Sequence, residues 1–454
     1  LNTPETTKSK TNRALRISIF EGAFAQVHIN LTMGMFLTSL ALYVGLNNIG
    51  IGLLSAIPAF FTGFGFFSVY LVQRFRSRKA LCVLFSGIGR GVFAILGILL
   101  LLNIRPTALL VFTIVIVHNI LLNFAGNAWL AWMHELVPKA QRGRYFGLRN
   151  TILNIVGMAA NMIGGKILDI HKIAANFAQG LGLLYTSAAV SSMIGTGILT
   201  QQYEPKSATQ PPRLRDIFLT PFKDENFLSL IRFVSVWYLL GGIAAPFFLV
   251  HMLSNLHMSY STVALYSIIA GISGLLFQII WGHAIDRIRS KPVLTINYFC
   301  SVILPWFWLF ARSDFLLPIW IDAFLTGIFW TGINLSLFNI VFSLTEGKKQ
   351  KESYFAVFTT LSGIIAFISA LGGGFVAQAL VKVKLHILGL TIINYHIMFA
   401  WVACVRLACM VLLVKVKEKE ALPTIKALQL MGDYTLRRLV LYKGLILNTF
   451  RQSR

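Results

Sequence analysis

The chain has 454 residues, of which 56% are hydrophobic and only 12% charged, and it carries a formal charge of +24. A soluble chain is about a quarter charged, so the composition excludes an ordinary water-soluble domain and makes the bilayer the solvent to reason with. Positive charge in excess suits either a nucleic-acid surface or the basic inner loops of a membrane protein, and only its placement separates the two.

A membrane-spanning helix needs about 20 mostly apolar residues. The first polar segment, 1–16, lacks the charged–apolar–small order of a cleavable signal and is expected as a cytoplasmic tail. Apolar spans follow at 17–44, 50–73, 80–103, 107–133, 146–170 and 180–203, the expected first six-helix bundle (17–203). Residues 204–226, rich in Pro and charge, form a cytoplasmic linker. A second bundle (227–414) holds spans at 227–251, 260–284, 292–312, 316–344, 354–381 and 395–414. The tail 415–454 sets Leu428, Met431, Leu436, Leu439, Val440, Leu447 and Phe450 among basic residues, a pattern suited to a helix on anionic lipid. The expected fold class is an all-α membrane protein of twelve transmembrane helices in two pseudo-symmetric six-helix bundles. Cys82, Cys300, Cys404 and Cys409 lie in or beside apolar segments without metal-type spacing, so neither disulfide framework nor metal site is expected.

Lys and Arg alternate between the two sides. With both termini inside, the inner loops outweigh the outer ones in basic residues by about five to one, a strong orientation signal. The charge is thereby accounted for by topology, and no nucleic-acid partner is expected. The halves also repeat each other. RFRSRKAL (74–81) after span two matches RIRSKPVL (287–294) after span eight, and Tyr145-Phe146 after span four matches Tyr354-Phe355 after span ten. Such parallel repeats are a device of transporter folds.

The loop after span eight reads Gly282-His-Ala-Ile-Asp286-Arg287-Ile-Arg289-Ser290-Lys291-Pro-Val-Leu294. It resembles the signature loop of the major facilitator superfamily, G-x-x-x-D-R-x-G-R-(R/K)-x-x-L, with Arg289 and Ser290 replacing the Gly-Arg pair. The first-half copy is degraded, with Val69 and Gln73 at the Gly and Asp positions, but keeps Arg74, Arg78 and Lys79. The stretch from Glu135 to Gly147 is similar to the family's loop between helices four and five. The resemblance spans residues 17 to 414 and implies a carrier with a central cavity lined by spans one, four, seven and ten. It further implies a cytoplasmic gate in which Gly282, Asp286, Arg287 and Lys291 face Arg142, Arg144 and Arg149, with Arg78 and Lys79 in the weaker copy. A solvated Asp286–Arg287 pair is the alternative reading of that loop.

Polar residues at helical spacing inside apolar spans mark a polar interior. Span one carries Gln26, Asn30 and Thr38 around Gly34, with His28 and Glu21 on the neighbouring stripe; span four carries Asn119, Asn123 and Asn127. Span seven offers Trp237 and Tyr238, and span ten carries Asp322, Thr326, Trp330 and Asn334. Each stripe is read either as substrate contact or as hydrogen-bonded glue between helices, and span five has an equal stripe in Asn150, Asn154 and Asn161. The candidate cavity residues are therefore Gln26, His28, Asn30, Asn119, Asn123, Asn127, Trp237, Thr326, Trp330 and Asn334. Asp322 and Glu21 are the candidates for a coupling proton, with an interfacial carboxylate the other reading of Glu21. Arg90 and Arg406 are expected to be structural, the first paired with a carboxylate or carbonyls and the second reaching partly toward the cytoplasm.

No nucleophile motif, phosphate loop or ATP-binding region occurs, so an enzyme is not expected, nor any cofactor. The function expected is secondary transport of a small polar organic solute across a bacterial inner membrane by alternating access, with protons as a candidate coupling ion. Two alternatives stand beside it: a flippase or exporter of lipid or amphipathic compounds, and a non-transporting sensor of the same fold.

Overall fold

The computed structural model describes residues 4–63, 77–205, 221–346, 348, 351–387 and 390–430. In hydrocarbon the backbone has no partner but itself, so long apolar runs close into helices. Among the described residues ten helices are long and apolar enough to cross a membrane. They are spans three (Arg78–Leu101), four (Ala108–Leu136), five (Lys139–Ile173), six (Phe177–Leu199), seven (Glu225–Ser254), eight (Tyr260–Ile288), nine (Ser290–Phe310), ten (Leu317–Thr345), eleven (Ser353–Ala379) and twelve (Asn394–Lys415). Span one runs from Pro4 to Thr32 and resumes as Met35–Tyr43. Span two is described as Asn48–Gly63, its remainder lying outside the described residues. The polar leader expected as a separate tail thus begins the first helix. Between spans eleven and twelve sits a feature absent from the expectation, an antiparallel hairpin of Lys384–Ile387 with Leu390–Ile393. Large apolar side chains such as Leu109, Ile173, Ile279 and Val414 are well exposed on the outside of the bundle, as lipid-facing positions should be.

The duplication legible in two loops extends through the packing. Glu204, beyond span six, accepts hydrogen bonds from the backbone N–H of Arg78 (2.6 Å) and Lys79 (3.2 Å) at the start of span three. Glu418, beyond span twelve, does the same for Lys291 (2.6 Å) at the start of span nine. Each carboxylate meets the positive end of a helix. The hydroxyl of Tyr145 donates to the carbonyl of Leu15 in the first part of span one, and that of Tyr354 reaches Asp224, the residue that caps span seven. Even the interruptions correspond. Span one breaks at Gly34 and span seven around Gly242; span three breaks at Val92 and span nine at Ser301–Ile303.

On the face opposite the basic loops the halves close on each other through two such related contacts. A Cβ on Gly165 of span five would stand 2.8 Å from the carbonyl oxygen of Tyr260 at the start of span eight. One on Gly374 of span eleven would stand 2.9 Å from that of Asn48 at the start of span two. The absent side chains let each helix end approach. A turn further on, Asp169 accepts from the N–H groups of Tyr260 (2.7 Å) and Ser261 (2.9 Å), and Gln378 accepts from that of Asn48 (3.3 Å). Tyr395 adds a hydroxyl bond to the Asn48 side chain (2.7 Å).

The basic face is different. Asp286 is exposed and forms no ion pair with the span-five arginines among the described residues. Arg142 donates to the carbonyls of Val137 and His134, while Arg149 lies over the Trp129 ring and donates to Ser18. Arg144 is exposed, and Arg78 pairs with Glu135 at 2.8 Å. Arg142, Arg149 and Arg78 thus make these contacts within their own half. In the second half Arg289 pairs with Glu420, and Lys291 donates its Nζ to Val414. Residues 424–430 are helical, and Leu422 and Ala427 pack against Trp281, Ile285 and Ile288, so the start of the tail docks on the signature loop. The remainder of the expected lipid-facing tail, from Met431 on, lies outside the described residues.

Candidate functional site

A cavity of about 800 Å³ lies between the halves, within the range of pockets that enclose small organic ligands. Its position follows from the interrupted helices. Gly34 has φ +57°, a left-handed conformation that favours glycine, and it opens span one beside the cavity. Span seven is interrupted at Gly241 and Gly242 beside the cavity, there with an ordinary right-handed backbone, and span nine bends just before Leu304 and Pro305. Irregular backbone at membrane depth is tolerated where it borders a cavity, and interruptions at corresponding places of two repeats point to a binding site.

The first half lends mainly an apolar wall with a small polar pair. Ile29, Met33 and Ala59 line it, and the Asn161 amide donates to Asn30 at 2.9 Å. The second half lends the chemistry. Asp322, only 1% exposed, accepts hydrogen bonds from the Tyr266 hydroxyl (2.7 Å) and from Thr326 (3.3 Å). Trp237 and Trp330 stack with centroids 5.6 Å apart, and Trp308 adds a third indole. The Arg406 guanidinium sits 5.5 Å from the centroid of Trp330 and donates Nη1 to the carbonyl of Ser301 at 2.6 Å. That carbonyl belongs to the break in span nine, where it also accepts the backbone N–H of Leu304 in a tighter turn.

Of the residues expected in the cavity, Asn30, Trp237, Thr326 and Trp330 line it together with Asp322. Asn334, next on the span-ten stripe, is exposed beyond the lining. Gln26 lies against span five near Gly157. His28 is fully buried inside the first half, with its Nδ1 3.2 Å from the carbonyl of Ala188 and its ring 5.3 Å from that of His118. Asn119 donates to Val115 of its own helix, and Asn127 donates to Asn123. Glu21, 3% exposed, pairs with Arg90 at 2.9 Å away from the cavity. Glu21 is thereby buried within the first half, and Arg90 has its carboxylate.

Arg406 departs most from expectation. It does not reach toward the membrane edge but is 6% exposed and faces the cavity. A lone arginine in an apolar run reveals its burial to sequence reading but not its direction. Tyr266, Trp308 and Asn161 were also missed as lining. Asn161 alone had a signal, its place on the span-five stripe. Among the described residues no group of three or more metal-ligating side chains occurs, and the four cysteines are free.

Two repeated bundles of membrane-spanning helices around a mid-membrane cavity define a solute-carrier architecture. The family model of the Major Facilitator Superfamily matches residues 19–370 and 227–448, and the chain belongs to that superfamily of transporters. It is a multi-pass integral membrane protein. No curated protein sequence matches it. Among solved structures it is similar to a mutant form of the nucleoside transporter NupG, at 13% identity and a TM-score of 0.69, covering 89% of this chain and all of the other. It is similar to a D-xylose–proton symporter at 12% identity and a TM-score of 0.66, covering 91% and 99%. A bacterial homologue of the human drug peptide transporters PepT1 and PepT2 gives 12% and 0.61, covering 90% and 98%. At these identities the likeness concerns the fold.

Proposed function

We propose that the protein is a secondary carrier that moves a small polar organic solute by alternating access, with Asp322 as the site of a coupling proton. The carrying observation is the cavity between the halves, closed on one face by the Asp169 and Gln378 contacts and holding a buried carboxylate among its lining side chains. An unfilled cavity favours the carrier over a sensor of the same fold. The basic loops support a reading in which the unlatched face is the cytoplasmic side of a bacterial inner membrane, with both termini inside. Asp286 and the span-five arginines then supply the latch of the opposite state, when the cytoplasmic ends close. The domain division follows the repeat, with bundles at 17–203 and 227–414 joined by the linker 204–226.

The test is uptake by the purified protein in proteoliposomes across a solute panel, with and without an imposed pH gradient. A transported solute should accumulate against its gradient in the wild-type protein. In Asp322→Asn, accumulation should vanish while exchange down a gradient persists. If no solute moves under any gradient, the carrier reading fails; if Asp322→Asn accumulates solute normally, the coupling role fails.

A further inference from the structure

Within the cavity the two buried charges are not equally satisfied. Both oxygens of Asp322 accept hydrogen bonds, from Tyr266 and Thr326. Arg406 spends Nη1 on the carbonyl of Ser301, but its Nε is buried without a partner. Among the described residues no carboxylate stands in ion-pair range of its guanidinium. A guanidinium carries five donors in a planar fork and stays charged, and removing it from water is costly unless an opposite charge joins it. One hydrogen bond, one indole face and the field of Asp322, which stands beyond ion-pair distance, leave the buried Nε donor unmet.

The surroundings say what shape should meet it. Arg406 stands against Trp330, which stacks on Trp237, with Tyr238 and Trp308 on the same lining. The remaining wall is largely apolar, with Met33, Phe248 and Met252 contributing. A flat or apolar body fits indole walls, and an oxyanion fits a guanidinium fork.

We infer that the solute is an organic anion with a planar or aromatic body, its carboxylate or equivalent oxyanion paired with Arg406 and its body lying against Trp237 and Trp330. This rests on the carrier reading and narrows its polar solute to one charge and one shape. It also gives span twelve a specificity role that the polar stripes did not indicate. Asp322, already accepting two hydrogen bonds, is not the group that captures the solute.

The experiment uses matched pairs of small aromatic compounds, each an aryl carboxylate or sulfonate beside its neutral amide or sulfone and its cationic amine. Binding to the purified full-length protein is read by thermal shift and by quenching of tryptophan fluorescence. The anionic members should bind, and the neutral and cationic partners should bind at least tenfold more weakly. Arg406→Gln should weaken anion binding by about 100-fold, as loss of a buried charge pair does, and Arg406→Lys should recover part of it because it restores charge without the fork. Trp330→Leu should cost about tenfold, in the range of aromatic and cation–π contacts. Should Arg406→Gln prove unstable, the matched pairs on wild-type protein decide alone. The inference is overturned if no anionic member binds, if neutral or cationic members bind as well, or if folded Arg406→Gln keeps full anion affinity. Proteoliposome uptake separates this from the parent reading: transport of neutral or cationic solutes alone would sink the anion assignment and leave the carrier standing. Anion binding without transport of any solute would sink the carrier and leave the Arg406 site.

Discussion

The first half buries an ion pair that takes no part in the cavity, Glu21 with Arg90, and its energetics can be separated from transport. Both partners are almost wholly enclosed, with side chains 4% and 12% exposed. Removing one partner of such a pair leaves the other charge stranded and costs about 3–5 kcal/mol, whereas replacing both with apolar groups is often neutral. Glu21→Leu and Arg90→Met should each lower the melting temperature of the detergent-purified protein strongly, while the double variant should recover most of the loss. Equal, additive losses would mean that the two side chains act independently. A second residue-scale contact lies at the basic end. Asp224 caps span seven through the N–H groups of Asn226 and Phe227 and pairs with Lys348. Burial pushes its carboxyl up, but Lys348 and the two backbone donors outweigh that and hold it below its ordinary value. A carboxyl depressed in the folded state contributes stability above its unfolded pKa and loses it as pH falls through the folded pKa. Acidification should therefore destabilise the wild-type protein more than Asp224→Asn, which keeps an N-capping residue but loses the charge. Parallel melting curves between neutral and acid pH for the two proteins would contradict this.

At the scale of elements, the closed face depends on two glycines at corresponding places of the repeat. Gly165 and Gly374 let the starts of spans eight and two come close enough for Asp169 and Gln378 to cap them. A side chain there meets backbone oxygens, which cannot swing aside. Gly374→Leu, or Gly165→Leu, should force this face apart at a cost of roughly 1–3 kcal/mol, a shift in conformer ratio of roughly 5- to 150-fold. With the four native cysteines replaced, a single reporter, Ser55→Cys on the cavity wall, should then react faster with an impermeant maleimide applied from that face. Unchanged labelling would show that the glycines do not hold the closure. These contacts also mark how far the sequence could be read. Span lengths and basic loops are imposed by the bilayer itself, so both could be traced from composition along the chain. The duplicated loops announced a repeat whose caps and helix breaks only coordinates reveal, because a cap joins residues far apart in the chain. Polar stripes were legible as stripes, but spacing gives the face of a helix and not the direction in which that face turns. Asp322, Thr326 and Trp330 therefore reach the cavity, while the equally regular Asn119, Asn123 and Asn127 do not. Arg406 had no stripe around it, and its hydrogen-bond partner is the carbonyl of Ser301 on another span.

For the whole molecule the asymmetry of the two faces is the central fact. One face is joined across the halves by Asp169 with span eight and by Gln378 with span two. On the other, Asp286 is exposed and Arg142 and Arg149 of span five bind within their own half. Alternating access requires that the joined face part in each cycle, because a cavity opening to one side only can exchange solute with that side but cannot carry it across. The Asp169 carboxylate and Ser261 hydroxyl, 2.6 Å apart, mark a place where side chains from the two halves already meet. With Cys300 and Cys404 replaced by serine, and buried Cys82 and Cys409 by alanine, Asp169→Cys and Ser261→Cys can be joined by oxidation or by a short thiol cross-linker. The reduced double variant should transport the solute found in the proteoliposome panel, at a rate lowered by the lost cap. Cross-linking should stop net uptake and counterflow alike while leaving solute binding from the basic face intact, and reduction should restore transport. Transport that continues through a fully cross-linked population would show that the two halves need not separate here, and a rocking of rigid bundles could then not be the means by which the cavity changes sides.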